Sequence, residues 1–400
     1  MDDKKKTLSQ LIAAALAILL LFGGATFILF LLGSLGMFPL YVTKIIPPLG
    51  ICAALALFFL TSGIPGPRGR KALKISFLCV CLACAAYVGH GVYKESIPSL
   101  DDRDLLLWQY QPFESDNKLV QLQEEPTFQM DWPSAHRVKL DGATALYPVY
   151  AAFVQAVYPE AEYHYYDNSV SCSGTIGAYD RLIKRDADMI FAAAPSETQL
   201  AAAESAGLQL HLTPIGREAF VFFVNSRNPV TNLTVDEVRG IYSGEITNWK
   251  QVGGERQSIR PFQRAENSGS QTALQQLMDG CPLMEPETED RIAGMGGIIE
   301  QVASYRNYKN ALGFSFRFYS TEMVQNGDIR LLSLNGVAPT RETIRDGSYP
   351  IASEFYAVTA APIGDPPPQE WDQDLGGFLD WILSPQGQFL VDETGYVSVK

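Results

Sequence analysis

The sequence has few of the side chains that usually carry covalent chemistry. Four histidines and six cysteines are spread over 400 residues. Only His136, His164 and His211, and only Cys172 and Cys281, fall in the last 300. Those two cysteines are far apart in sequence, so a disulfide framework is not what holds this part together. No His/Cys/carboxylate group has metal-ligand spacing, so neither a metal nor a cofactor is expected. Basic residues are also scarce after residue 100, where 22 Lys/Arg stand against 41 Asp/Glu for a net charge of −19. Such a domain repels phosphate backbones, which excludes nucleic acid as a partner. No internal repeat of fixed period occurs. An apolar content of 47% excludes intrinsic disorder.

The first hundred residues are different. They carry nine Lys/Arg and three Asp/Glu, a net of +6, and are otherwise almost wholly apolar. Residues 11–32 run without a charge for a length that crosses a hydrocarbon core. Residues 45–60 and 75–92 form two further apolar runs, which a cleaved signal peptide would not explain. Three spans are expected within a membrane region at 1–94. Lys4, Lys5 and Lys6 precede the first, and Arg68, Arg70, Lys71 and Lys74 lie between the second and third. The positive-inside rule then makes the N-terminus cytoplasmic and the rest of the chain extracellular, in a multi-pass protein of the cell membrane. Cys52, Cys79, Cys81 and Cys84 lie in the spans and read as small apolar packing residues.

Residues 95–135 are rich in acids and proline and read as a polar linker. Order begins at about Val138. Strands are expected at 138–140, 188–192, 219–224 and 313–316, the third too continuously apolar to be half exposed. Helices are expected after Thr144 through Val157, and from the capping box Thr234–Glu237 toward Ile241. Residues 375–391 read as one amphipathic helix. Alternating strands and helices make the domain α/β.

Three segments share one chemistry. Each is a turn rich in Gly, Ser or Thr that opens a helix: Gly142 to Leu146, Ser171 to Gly177, and Arg264 to Thr272. The first N–H groups of a helix lack intrahelical partners and carry the positive end of its dipole. Hydroxyls there add donors, and small neighbours let the backbone approach a ligand. Three such ends converging would make an oxyanion pocket built from dipoles. Arg264 would add a planar fork for two oxygens of a tetrahedral anion. Singly, each segment reads as an ordinary helix cap and Arg264 as a surface ion-pair residue.

Longer ordered stretches accompany them: PIGREAFVFFVN at 214–225, IYSGEITNW at 241–249 and PFQRAENSGSQT at 261–272, with GGII at 296–299 and YKNALG at 308–313. In these the chain resembles the phosphate-binding proteins of ABC phosphate importers, of the type II periplasmic binding protein fold. The resemblance covers about residues 138–396. It implies that Thr144, the N–H of Ala145, and Ser173 with its neighbour Thr175 hold a phosphate from one side. It implies that Arg264, Ser268, Gly269 and Ser270 hold it from the other, with Ser270 where the family has Thr. The family's Asp that accepts the proton of hydrogen phosphate is replaced here by Ala193. Ser196 and Glu197 are the nearest substitutes, Glu197 first, although a solvated first-turn position suits Glu197 equally. A three-span anchor is unusual for that family.

The resemblance implies a two-lobed α/β clamp at 136–400, preceded by the three transmembrane helices. Lobe 1 would hold 136–215 and 326–400, and lobe 2 would hold 216–325. The implied function is a membrane-anchored binding protein that captures inorganic phosphate, or a related oxyanion, and delivers it to the permease subunits of an ABC transporter. A membrane-bound phosphate sensor signalling to a partner is the alternative. A hydrolase with Ser173 or Ser268 as nucleophile is disfavoured, because neither segment contains a histidine to act as base.

Overall fold

The structure, a computed structural model, describes residues 107–130, 138–166, 169–286, 309–324 and 326–399, the backbone of Arg291 and Ile292, and Ile75, Leu78, Cys79 and Leu82. The chain divides into two compact units, Met1–Ser99 and Leu100–Lys400. In the first, the four described residues are helical and exposed. The three expected spans otherwise lie outside the described residues. Among the described residues, no helix is long and apolar enough to cross a membrane.

The second unit is built on a mixed sheet. Its strands are β1 (Leu140–Gly142), β2 (Met189–Ala192), β3 (Leu208–Asn225), β5 (Arg260–Pro261), β8 (Ala311–Phe316), β9 (Ile329–Leu331) and β11 (Ala352–Pro362), in the spatial order β1-β2-β11-β3-β8-β5 with β9 also on β3. Short pairs are made by β4 (Asn232–Leu233) with β10 (Ser333–Leu334), and by β6 (Gln263–Arg264) with β7 (Arg291–Ile292). The helices are α1 (Tyr147–Val157), α2 (Gly174–Ile183), α3 (Glu197–Ser205), α4 (Val235–Ser243), α5 (Gly269–Met278), α6 (Arg341–Arg345), α7 (Gln373–Ile382) and α8 (Pro385–Thr394).

β3 joins the two lobes. Its first half pairs with β11 and its second half with β8 and β9, all antiparallel. At the crossing the β3–β11 register slips between Phe355 and Tyr356, beside Pro214, which has no N–H to give the ladder. Only glycine fits at 216, because a Cβ there would lie 2.3 Å from the Phe355 ring. Each lobe then has its own aromatic packing. Tyr150 stacks on Phe191 and Phe153 meets Trp381 edge-on in lobe 1. Phe220, Phe222, Phe314 and Tyr242 pack together in lobe 2. Such pairs add about 0.5–1.5 kcal/mol each beyond the area they bury.

The expected strands and helices are present, except that the first strand runs over Leu140–Gly142 and not 138–140, and β3 is much longer than the apolar run that announced it. Three expectations need correction. Residues 375–391 form two helices, not one, because Ser384 caps α8 and Pro385 occupies its first turn, where a continuing helix would need its N–H. Lobe 2 does not end at 325. β9 pairs with Phe223–Asn225 and β10 with Asn232–Leu233, so the chain stays in lobe 2 through Leu334. It returns at α6, where the Arg341 guanidinium donates to the carbonyls of Asp392 and Tyr396 at 2.6 and 3.2 Å.

The third correction concerns the polar linker. Residues 107–130 are packed onto lobe 1, with Leu107, Leu119 and Met130 buried in its core. Gln155 of α1 accepts from the N–H of Phe113 and from Asn117, and Gln386 of α8 accepts from the N–H of Thr127. Acids and prolines dominate the composition of this segment, while sparse apolar residues make its contacts. Docking of this strap has a checkable sign. A Cβ on Gly377 of α7 would come within 2.5 Å of the Phe128 ring. Gly377→Ala should therefore lower the unfolding free energy, yet raise it by about 1 kcal/mol in a Phe128→Ala background, where only the helix-propensity gain remains. Denaturant unfolding of the four variants measures this, and an equal effect in both backgrounds means that the strap is not docked there.

Candidate functional site

The first two glycine- and hydroxyl-bearing segments are organised by Asp141, a fully buried carboxylate at the end of β1. Its Oδ1 accepts from the N–H groups of Gly142 and Ser173, each at 2.7 Å. Its Oδ2 accepts from Ser173 Oγ at 2.7 Å and from Arg181 Nη1 at 2.8 Å. An ionised carboxylate can only accept, so the single hydroxyl proton of Ser173 points at Asp141. In this arrangement Ser173 sets the position of the α2 N-terminus, and its oxygen turns lone pairs toward anything else. Gly142 has no room for a side chain, since a Cβ would sit 2.6 Å from the Tyr150 ring and 2.8 Å from the Phe191 carbonyl oxygen. Thr144, half buried, opens a short 3-10 turn over Thr144–Leu146 that leads into α1. Gly174, with φ +78°, lies beside it: a Cβ there would be 4.0 Å from Thr144 Oγ1.

The third segment comes from lobe 2. The Arg264 N–H donates to Gln271 Oε1 at 2.8 Å, and Gln271 Nε2 donates to Gln263 Oε1 at 3.1 Å, which ties β6 to α5. Asn267 takes a left-handed conformation at φ 64°, and Ser268 caps α5 by accepting from the Gln271 N–H. Gly269 and Ser270 are then the first two helical residues. Ser270 is fully buried, and its hydroxyl has no hydrogen-bond partner among the described residues. Arg264 is buried as well. Burial pushes its guanidinium down to about 10, with Tyr319 acting in the opposite sense, so it remains a cation at neutral pH. A desolvated cation attracts an anion more strongly than one in water.

The two lobes meet across these segments. A Cβ on Gly269 would lie 3.0 Å from Thr175 Oγ1 and 3.8 Å from Ala193 Cβ. Ser196 Oγ donates to Asn267 Oδ1 at 2.9 Å, and Gln199 Nε2 donates to the Asn267 carbonyl at 3.3 Å. Thr175 is thus brought to the mouth of α5, and the two lobes are closed on each other there. Ala145 lies with Thr175 and Ala193 on the wall of a cavity of about 20 Å³, room for one water. Of the substitutes for the missing Asp, Ser196 is occupied by its capping box with Gln199 and by Asn267. Glu197 is solvent-exposed on the first turn of α3, where a negative charge suits the helix dipole.

The residue that sequence reasoning missed is Glu218, which lines the same small cavity. It sits on β3 at the lobe crossing. Its Oε1 accepts from its neighbour Ala219 at 2.8 Å and its Oε2 from the Phe318 N–H of lobe 2 at 3.0 Å. Burial raises its carboxyl to about 7, against the pull of Arg317 and the two N–H groups, with Glu322 adding to the rise. The signal was a lone acid beside the apolar run 219–224. Asp141 is a second such residue, since an acid before Gly142 carries no local sign of its burial.

A profile of the PBP superfamily domain matches residues 129–386. The chain belongs to the PBP superfamily. Phosphate-binding protein PstS of Borreliella burgdorferi is 28% identical over 194 residues, covering 47% of this chain and 66% of that protein. Phosphate-binding protein PstS of Bacillus subtilis is 29% identical over 178 residues, covering 44% and 53%. The chain therefore spans between about half and two thirds of the length of these relatives. Among solved structures, a putative phosphate ABC transporter substrate-binding protein from Clostridium perfringens, with bound phosphate, superposes with a TM-score of 0.50 at 24% identity. It covers 66% of this chain and 100% of that one, and establishes likeness of fold. None of these three carries the name of an enzyme.

For this PBP-superfamily domain, Glu218 gives a prediction about pH. A carboxyl raised from 4.5 to about 7 on folding binds its proton more tightly in the folded chain. Its contribution to stability is complete below about 4.5 and is lost as pH rises through about 7. The full effect is of order 3 kcal/mol. Glu218→Gln should flatten the fall of unfolding free energy between pH 5 and 7, relative to wild type, by up to about 1.4 kcal/mol per pH unit. Urea titrations at stepped pH measure the slope, and identical slopes would remove Glu218 as its source.

Proposed function

We propose that residues 136–400 bind inorganic phosphate, or a related oxyanion, in the interlobe cleft on the outer side of the cell membrane and present it to the permease subunits of an ABC importer. The observation that carries this is the meeting of Thr175 with Gly269: two helix N-termini rich in small and hydroxylated residues, one from each lobe, close on each other, and the lobe 2 segment begins with the buried Arg264 cation. The names of the B. burgdorferi and B. subtilis relatives supply the ligand. Thr144, Ala145 and Thr175 contribute from lobe 1, where Ser173, its donors taken by Asp141, acts by setting the α2 N-terminus, and Arg264, Ser268, Gly269 and Ser270 contribute from lobe 2. Because ligand contacts come from both lobes, binding favours the closed state by the difference in contacts between closed and open.

Arg264 brings a full positive charge to this site while the surrounding domain is at −19. Hydrogen bonds to charged groups contribute about 1.5–3 kcal/mol each, so Arg264→Ala should weaken phosphate binding by roughly a hundredfold or more. Calorimetry on the full chain in detergent measures this, and an unchanged affinity would exclude Arg264 from the site.

The first hundred residues are read as a three-span anchor with the N-terminus inside, on the strength of their apolar runs and Lys/Arg asymmetry. Protease added to intact cells should release a fragment of the 100–400 domain. Protection until the membrane is breached would reverse the topology. The three spans also favour a sensor, in which closure of the clamp is reported to a partner. Co-purification with permease subunits supports delivery, and co-purification with a signalling protein supports sensing.

A further inference from the structure

The cleft holds more space than inorganic phosphate can use. Next to the anion segments lies a cavity of about 350 Å³. A tetrahedral anion takes up roughly two water volumes, ~60 Å³. Cavities of 300–1,000 Å³ are the usual size for small organic ligands. Gly269 of the third anion segment and Ala193, whose Cβ would lie 3.8 Å from a Cβ on Gly269, both line it.

The rest of the lining has a definite chemistry. Phe220, Phe316 and Leu277 give an apolar floor. Thr272, on the same face of α5 as Gly269, also lines the cavity and is buried, with its hydroxyl oxygen shielded from it. Glu354 lines it from β11, half buried, and accepts from the Tyr356 hydroxyl at 3.3 Å. Arg239, also on the wall, is taken up by the Leu277 carbonyl at 2.8 Å and by Asp236 and Asp279. A carboxylate over an apolar floor suits a short chain bearing hydroxyl or amino groups and disfavours a second anion.

We propose that the cleft takes an organic phosphate: a dianionic phosphoryl group on the segments around Arg264, with a short hydroxylated or amino-alkyl substituent in the adjoining cavity. This rests on the phosphate-site reading above and extends it to the ligand class. A phosphate monoester and a phosphonate share this head group. A monoester has its second pKa near 6, so at pH 7.5 the dianion carries no proton and its site needs no acceptor beside it. Ala193, a methyl at the boundary, is compatible with such a ligand.

The test is calorimetry at pH 7.5 on the full chain in detergent, with inorganic phosphate, glycerol 3-phosphate, phosphoethanolamine and 2-aminoethylphosphonate as probes. At least one organic probe should bind tenfold or more tightly than inorganic phosphate, and the ester and phosphonate arms tell which linkage is preferred. Ala273→Leu, which extends a side chain from the cavity face of α5, should remove that gain while phosphate affinity stays within twofold. Glu354→Gln, nearly isosteric, should weaken the organic probe three- to tenfold relative to phosphate. Inorganic phosphate binding with no organic probe binding as tightly would overturn this inference and leave the phosphate site standing. Binding of none of the four would overturn both. An organic probe that binds equally well to wild type, Ala273→Leu and Glu354→Gln does not use the cavity, and the inference fails.

Discussion

The arrangement of the candidate site depends on one buried charge. Asp141 has no access to water, and a bare carboxylate in that position would cost several kcal/mol. Its four donors come from three places in the chain: the next residue, the turn before α2, and Arg181 two turns into α2. The ion pair with Arg181 therefore also fixes where α2 begins and which way Ser173 faces. Once these are set, Gly174 must take its left-handed turn beside Thr144, and Thr175 is carried toward lobe 2. A charge that touches no ligand in this arrangement thus places the groups that would.

The second constraint is the pair of antiparallel strands that runs between the lobes. β3 continues through both, and β11 begins beside the crossing. A bulge, a proline and a glycine with no room for a side chain concentrate the change of strand direction within a few residues. Glu218 lies there, bonded to Phe318 of lobe 2, and the Arg317 next to Phe318 donates to the Gly395 carbonyl at 2.8 Å. The strand crossing is thus reinforced by polar contacts that reach into both lobes. A group whose proton is exchanged near neutrality sits where the lobes are joined, and this couples the charge state of the crossing to its packing.

Legibility in the sequence followed the range of the interactions. The three helix-opening segments could be read because Gly, Ser and Thr before a helix act locally through caps and unpaired N–H groups. β2, α4 and β8 were legible from continuous apolar runs or a capping box. The continuation of β3 back to Leu208 was not, because its half-buried first half alternates irregularly around Pro214 and Gly216. The strap at 107–130 was hidden by its acids, since the apolar residues that dock it are spaced among them without a period and composition averages them away. The second lobe crossing lay beyond 325 because β9 and β10 are too short to show a period, and only pairing with β3 and β4 identifies them. Asp141 and Glu218 depend on partners 30 to 100 residues away, and nothing in their immediate neighbours distinguishes a buried acid from a solvated one.

For a domain at −19 to bind an anion, as proposed, it must do so against its own field. Long-range potential from surface acids is screened within about 8 Å at physiological ionic strength, whereas groups inside a closed cleft are screened far less. The local sources therefore decide: the N-termini of α2 and α5, each ten residues long, and a guanidinium from which water has been removed. Their effect is greatest when the lobes are shut, because closure excludes water from between Thr175 and Gly269 and lowers the effective dielectric constant. The surface charge repels polyanions, which cannot enter the cleft, while a small anion reaches positive ends that the surface field does not cancel. The same net charge that excludes nucleic acid is compatible with a phosphoryl ligand, provided that the ligand is small enough to be enclosed.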